Sequence, residues 1–271
     1  VSDPVLIRGD GQFLYTMASV CDDIDFGITN VVRGSDHVTN TATQIQIIEA
    51  MGASVPNFAH HSLLTGPQGE PLSKRLGTLS LRDLRANGLE PMAILSHMAR
   101  LGSSEPIELF NSLDELIENF DITIFGAQPT KFDVTDLFPL TKKYVAGLDL
   151  STMSDALIDL GIPSEIAPSF WEMARENVNT RADIAQWWEI CRDGVTPLID
   201  VEDIEFIEIS KSLLPSHPWD ETTWKVWTAL VKDTTGRKGK GLFMPLRKAL
   251  TAMEHGPDMA KLLPLLQKIK I

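Results

Sequence analysis

The apolar pattern of this chain changes period at Gly77, and that change limits the possible folds more than any other feature. Before it, short segments alternate in type. Val5–Arg8 predicts a strand closed by a Gly9-Asp-Gly11 turn, and Leu14–Phe26 predicts a helix stopped by Gly27. Thr29–Arg33 predicts a second strand. Thr41–Met51 predicts a second helix, with Asn40 as its N-cap and Gly52 as its stop, and Phe58–Leu64 a third strand. Beyond Gly77 the periodic segments are helical: Ser80–Ala86, Pro91–Leu101, Leu113–Phe120, Val134–Val145 and Ser154–Leu160, then Ser164–Asn177 and Arg181–Cys191. They continue at Glu202–Leu213, Glu221–Lys232, Leu242–Met253 and Pro257–Lys268.

Strand–helix–strand–helix–strand is the order of a parallel α/β sheet, whose ligands lie at the carboxyl ends of the strands. Three strands make a thin sheet. The expected fold is therefore an α/β half of a Rossmann-type nucleotide-binding domain followed by a mostly α-helical region. At 271 residues and 43% apolar, the chain can bury a substantial core in two or more domains. It holds no apolar run long enough for a membrane helix, and Val1-Ser-Asp-Pro does not read as a signal peptide. Cys21 and Cys191 fit no redox or metal spacing, and the six histidines form no helical metal pair. A cytoplasmic protein without a bound metal is expected.

The net charge of −13 argues against a protein that coats nucleic acid indiscriminately. From Arg237 onward, however, eight Lys or Arg residues face only Glu254 and Asp258. A basic end on an acidic body suits contact with a polyanion at chosen places, although cations also solvate exposed helix faces. Within that end, Gly236-Arg-Lys-Gly-Lys-Gly241 interleaves glycines with Arg237, Lys238 and Lys240, exposing backbone donors and positive charge together. Six tryptophans (171, 187, 188, 219, 224 and 227) could stack on bases, but Trp224 and Trp227 at i, i+3 are more simply core.

A second cationic segment lies in Thr65-Gly-Pro-Gln-Gly-Glu-Pro-Leu-Ser-Lys-Arg-Leu-Gly77. Its glycines and prolines predict a loop able to close a lysine and an arginine over a polyanion. Upstream, Arg33 ends a predicted strand, where a guanidinium can hold a carboxylate or form a structural salt bridge. Tyr15 and Ser19 are one helical turn apart and face the same way. Asp36 and His37 follow Gly34, where backbone can approach a ligand closely; His37 could equally be a hydrogen-bonding residue at the start of a helix. Asp22 and Asp23 are adjacent on a helix, point apart and do not form an acid–base pair.

Taken together, Tyr15-Thr-Met-Ala-Ser-Val-Cys-Asp-Asp23, the Val31–Gly52 segment with its Val-Val-Arg-Gly-Ser-Asp-His start, Ser73-Lys-Arg75 and the 236–248 segment resemble the bacterial glutamyl-tRNA synthetase family. The resemblance implies ATP-dependent activation of glutamate and its transfer to tRNA(Glu), with Mg²⁺ carried by ATP, in a monomeric enzyme. It implies a division into residues 1–72 as the second half of a class I catalytic domain, 73–148 as signature loop and stem-contact linker, and 149–271 as a helical anticodon-binding region.

Carried over by position, Ser73 and Lys74 are catalytic, Lys74 meeting the charge that builds on phosphate oxygens as pyrophosphate leaves. Arg33 reads the glutamate carboxylate, with Tyr15 and Ser19 in the same pocket. Asp36, His37, Leu63, Leu64, Lys74 and Arg75 hold ATP. Arg237, Lys238 and Lys240 contact tRNA. Pro71 stands where the family loop begins with a lysine, which removes one of two phosphate-facing cations. A His-Ile-Gly-His-type signature does not occur in the sequence. The expectation is therefore an incomplete and inactive part of the enzyme; the competing reading is a non-catalytic tRNA-binding or regulatory relative.

Overall fold

A computed structural model describes residues 3–70, 72 and 80–271. Pro71 and the expected phosphate-binding residues Ser73, Lys74 and Arg75 lie outside them. The chain forms two compact units, one of residues up to Asp83 with Leu95–Thr135, the other of Leu84–Ile94 with Asp136–Ile271.

The first unit follows the alternating part of the sequence. Helix α1 (Tyr15–Asp25) leads to strand β1 (Asn30–Gly34), a 3₁₀ turn (Ser35–His37), helix α2 (Val38–Ala50) and strand β2 (Asn57–His61). β1 and β2 pair in parallel, Asn30 opposite Asn57 through Gly34 opposite His61. α1 and α2 pack on each other, with Val20 and Ile48 buried. Alternation along a strand puts Val31, Arg33, Phe58 and His60 on one face of the pair, and Val32, Ala59 and His61 on the other.

Three expectations change here. Val5–Arg8 is not a strand of the sheet. The Arg8 amide bonds the Gln12 carbonyl at 2.9 Å, so the segment doubles back and makes only an antiparallel bridge between Ile7 and Phe13. Asn40 does not cap α2, because the 3₁₀ turn starts the helix at Val38 and the Asn40 amide instead lies 3.2 Å from His37 Nδ1.

The third strand is cut short as well. β2 ends at His61, and β3 (Leu64–Thr65) changes partner to pair in parallel with β4 (Thr130–Lys131). Amides of Thr130 and Phe132 donate to the carbonyls of Leu63 and Thr65 at 2.9 and 2.8 Å. Among the described residues there are thus two small parallel pairs rather than one three-stranded sheet.

Helices α3 (Leu81–Ala86), α4 (Pro91–Met98) and α5 (Leu113–Glu118) precede β4, and the boundary between the units falls within the first two. The second unit then continues with α6 (Leu137–Gly147), α7 (Leu150–Asp159), α8 (Ala167–Ala174), α9 (Asp183–Asp193), α10 (Ile204–Ser212), α11 (Thr223–Thr235), α12 (Lys240–Thr251) and α13 (Met259–Leu262). Its core is built around aromatic residues. Trp171, Trp187, Trp188, Trp227 and Phe170 are buried, and Trp224 packs edge-on to Trp227 at 5.6 Å. Indole N–H groups of Trp171, Trp187 and Trp227 donate to the backbone carbonyls of Leu148, Asn177 and Ser210. These rings are structural, as the i, i+3 spacing of the last pair predicts. The expected Pro257–Lys268 helix is only α13 followed by a 3₁₀ turn (Leu263–Leu265), since Pro264 lacks the amide that would extend the α-helical ladder.

Candidate functional site

Arg33 organises the first unit. Its place on β1 turns the side chain toward α2, where the guanidinium lies 5.3 Å from the centre of the Phe58 ring. Nη2 donates to Thr41 Oγ1 at 2.6 Å and to Gln44 Oε1 at 2.5 Å, and Nη1 reaches the Tyr15 hydroxyl at 3.4 Å. Nε is buried without a partner. These acceptors are all neutral, and among the described residues no carboxylate pairs with Arg33. A half-buried cation held only by neutral oxygens keeps its charge available to an anion.

Ser19 joins the same cluster through Gln44, whose Nε2 donates to its hydroxyl at 2.7 Å. Tyr15, Ser19 and Arg33, set apart by sequence reasoning, are thus brought together. Thr41 and Gln44 are the residues that reasoning missed. A signal was present: Thr41, Gln44 and Ile48 share the buried face of α2, and a glutamine 1% exposed among apolar positions must find partners. Thr41 Oγ1 also lies 2.8 Å from His60 Nε2 and bonds the His37 carbonyl at 3.1 Å, which ties β2 and the 3₁₀ turn to the cluster.

Gly34 is where the strand end must stay bare. A Cβ there would come within 2.5 Å of Asp36 Oδ1 and 3.1 Å of Leu63 Cδ2. Asp36 and Leu63 therefore converge across Gly34. His37 lies against Tyr15, ring centres 5.6 Å apart, with its Nε2 3.8 Å from Asp36 Oδ2. Leu63 and Leu64 line a mainly apolar cavity of about 450 Å³ with Met98, Leu101, Phe120 and Phe125. The Leu63 carbonyl is already used by the β3–β4 pairing. Among the described residues no group of three or more His, Cys, Asp or Glu side chains could hold a metal, and no helix is long and apolar enough to cross a membrane.

In the second unit the three basic residues after Gly236 separate into two kinds. The Arg237 guanidinium pairs with the Asp203 carboxylate, bonds the Glu202 carbonyl at 3.2 Å and stacks over Phe206 with its carbon 4.2 Å from the ring centre. Lys238 and Lys240 are exposed, beside glycines whose surroundings are open. Two further cations of the basic tail are also engaged internally. Lys248 pairs with Asp200 at 2.5 Å, and Arg247 donates to the Pro257 carbonyl at 2.9 Å. Burial pushes the Arg247 pKa down from its ordinary value, while the hydrogen bond that Lys248 donates to Asp200 holds that of Lys248 up.

Residues 1–139 match the family model described as tRNA synthetases class I (E and Q), catalytic domain. The chain is 64% identical over 270 residues to "Glutamate--tRNA ligase 1" of Roseobacter denitrificans, covering 100% of this chain and 61% of that protein. It is 64% identical to "Glutamate--tRNA ligase 2" of a Jannaschia species, covering 98% of this chain and 60% of the relative. The chain thus spans about 60% of the length of the curated relatives it matches. A crystal structure of a glutamate tRNA ligase from Elizabethkingia meningosepticum, in complex with its amino acid, matches with a TM-score of 0.78 at 23% identity, over 98% of this chain and 60% of that one. That likeness establishes the fold. With more than half of its length inside the family's catalytic domain, the chain belongs to the class I tRNA synthetases of the glutamate and glutamine (E and Q) group.

Proposed function

We propose that this chain is the part of a glutamate–tRNA ligase that reads the side chain of the amino acid and carries the tRNA-facing helices. The observation that supports this most is Arg33, fixed by Thr41, Gln44 and Tyr15 with no acid among the described residues to neutralise it. Glutamate brings a γ-carboxylate that would complete the arrangement, with the Tyr15 and Ser19 hydroxyls beside it. Asp36 and Leu63 converge at Gly34 and, with His37 and Leu64, would receive the ribose and adenine of ATP. Ser73, Lys74 and Arg75 would meet its phosphates, with Mg²⁺ carried by the nucleotide. Activation then joins the α-carboxylate of glutamate to the α-phosphate, and pyrophosphate leaves. Transfer of the glutamyl group to the terminal ribose of tRNA(Glu) follows, breaking the acyl–phosphate bond and releasing AMP.

For the RNA, Lys238 and Lys240 supply free charge, while Arg237 shapes the turn that presents them. The protein would act as a monomer in the cytoplasm. The test is glutamate-, ATP- and tRNA-dependent pyrophosphate exchange. It is run on the chain as it stands and on the chain fused to the part of the Roseobacter denitrificans relative that the match leaves uncovered. Exchange in the fused protein that Arg33→Ala abolishes is the expected result. No exchange in either form, with salt-sensitive tRNA binding retained, would move the assignment to a non-catalytic tRNA-binding relative.

A further inference from the structure

Gln44 lies 1% exposed between two groups that the proposed glutamate site uses, and the chemistry of its neighbours fixes which way its amide points. An arginine can only donate, so the oxygen of Gln44 faces Arg33 Nη2 at 2.5 Å. The amide nitrogen therefore faces Ser19, and at 2.7 Å it must donate to the serine oxygen. Two consequences follow from this polarity. The Arg33 charge is oriented but not neutralised, because its partner is an amide. The Ser19 proton is unspent, because the serine oxygen is the acceptor of its one hydrogen bond among the described residues. The Tyr15 hydroxyl likewise accepts from Arg33 and keeps its own proton.

We propose that Gln44 is a specificity-determining positioning residue. By accepting from Arg33 and donating to Ser19, it leaves a full positive charge and a free hydroxyl proton in the cluster, and so favours a side-chain carboxylate over the corresponding carboxamide. The inference rests on the glutamate-binding reading above and deepens it. A carboxylate has acceptors only and can take what Arg33, Ser19 and Tyr15 offer. A carboxamide brings an NH₂ that needs an acceptor, and its neutral oxygen gains less from the uncompensated charge than a carboxylate does. A carboxylate at position 44 would reverse the arrangement: it would pair with Arg33, and Ser19 would turn its proton toward it.

The test is titration of L-glutamate and L-glutamine into the 271-residue chain and its Gln44→Glu, Gln44→Met and Arg33→Met variants, each checked for folding by thermal melting. The native chain is expected to prefer glutamate, and Arg33→Met to lose that preference. Gln44→Glu should weaken glutamate binding about 10- to 100-fold while leaving glutamine within about threefold, so that the ratio of the two collapses. Gln44→Met should weaken glutamate several-fold with glutamine unchanged, and it decides the matter if Gln44→Glu does not fold. A folded Gln44 variant that keeps the native glutamate-to-glutamine ratio, while Arg33→Met loses it, overturns the assignment of Gln44 and leaves the reading of the site intact. A native chain with no preference for glutamate overturns both.

Discussion

Arg33 in the first unit and Arg237 in the second are held in almost the same manner and differ in the charge of their partners. Each lies over a phenylalanine ring, Phe58 in one case and Phe206 in the other, and each is fixed by side-chain oxygens. Arg237 has a carboxylate, that of Asp203, whose side chain is only 12% exposed. Arg33 has a threonine, a glutamine and a tyrosine. A cation that finds an acid inside its own chain is part of the architecture, because its charge is cancelled where it stands. A cation oriented by neutral acceptors is still attractive to something from outside. On the proposed reading, what separates a binding arginine from a structural one is the chemistry of its partners rather than its burial or its stacking.

The strongest way to break this contrast is to remove each arginine in turn. Arg33→Ala should lower glutamate affinity about 100-fold or more, the loss of two charge-assisted hydrogen bonds, with a modest loss of stability because the buried Gln44 oxygen loses its donor. Isothermal titration and a thermal melt on the same sample check both halves. Arg237→Ala should do the reverse. It leaves Asp203 without a partner and strips the cation from Phe206, which should cost about 2 kcal/mol in urea unfolding while glutamate binding stays as it was. If Arg237→Ala left stability intact, the second half of the comparison would fail.

Smaller effects sharpen the picture. Lys238→Ala and Lys240→Ala should leave the melting temperature alone. Each should weaken tRNA binding and lower the slope of log affinity against log salt by about one, read from filter binding at several ionic strengths. The least effect belongs to Asp220 at the start of α11. Its carboxylate accepts from the side chain of Thr222 and from the amides of Thr222 and Thr223, the latter at 2.9 and 3.0 Å. These bonds hold its pKa below the ordinary aspartate value, the Thr222 hydroxyl contributing most. A carboxyl whose pKa is lower in the folded state stabilises above its ordinary value near 3.8 and loses that contribution as pH falls through the lowered one. Asp220→Asn should therefore melt slightly below the native chain at pH 7, and the difference should close as pH falls through the lowered pKa. A gap that widened in acid would contradict this sign.

Residues whose grouping follows from type and position were legible in the sequence. Arg33 at a strand end and Tyr15 with Ser19 one helical turn apart needed only local periodicity to be grouped. The helical region was legible for the same reason, including Trp227 as core. What was not legible depended on partners far along the chain. Nothing in Phe58–Leu64 indicates that the strand must stop at His61, because the cause is pairing with Thr130–Lys131, too short a segment to carry a pattern. Likewise the free and spent cations after Gly236 look alike until Asp203 and Asp200 are placed beside Arg237 and Lys248. Gln44 fell between these cases, since its buried position could be read from α2 but its two partners could not.

The change of partner at β3 also sets a schedule for folding. Thr65 and Thr130, joined across that pairing, are 65 positions apart, so β3 leaves the ribosome long before β4 exists. At about 5–20 residues per second the interval is roughly 3–13 s. Throughout it, the nascent chain can form α1, β1, α2 and β2 with the cluster around Arg33, whereas the amide donors of Thr130 and Phe132 are still to be made. The corner around Arg33 can therefore be assembled first. Closing β3 on β4 is a later and slower event, delayed by the entropy of bringing together two short segments across a long loop.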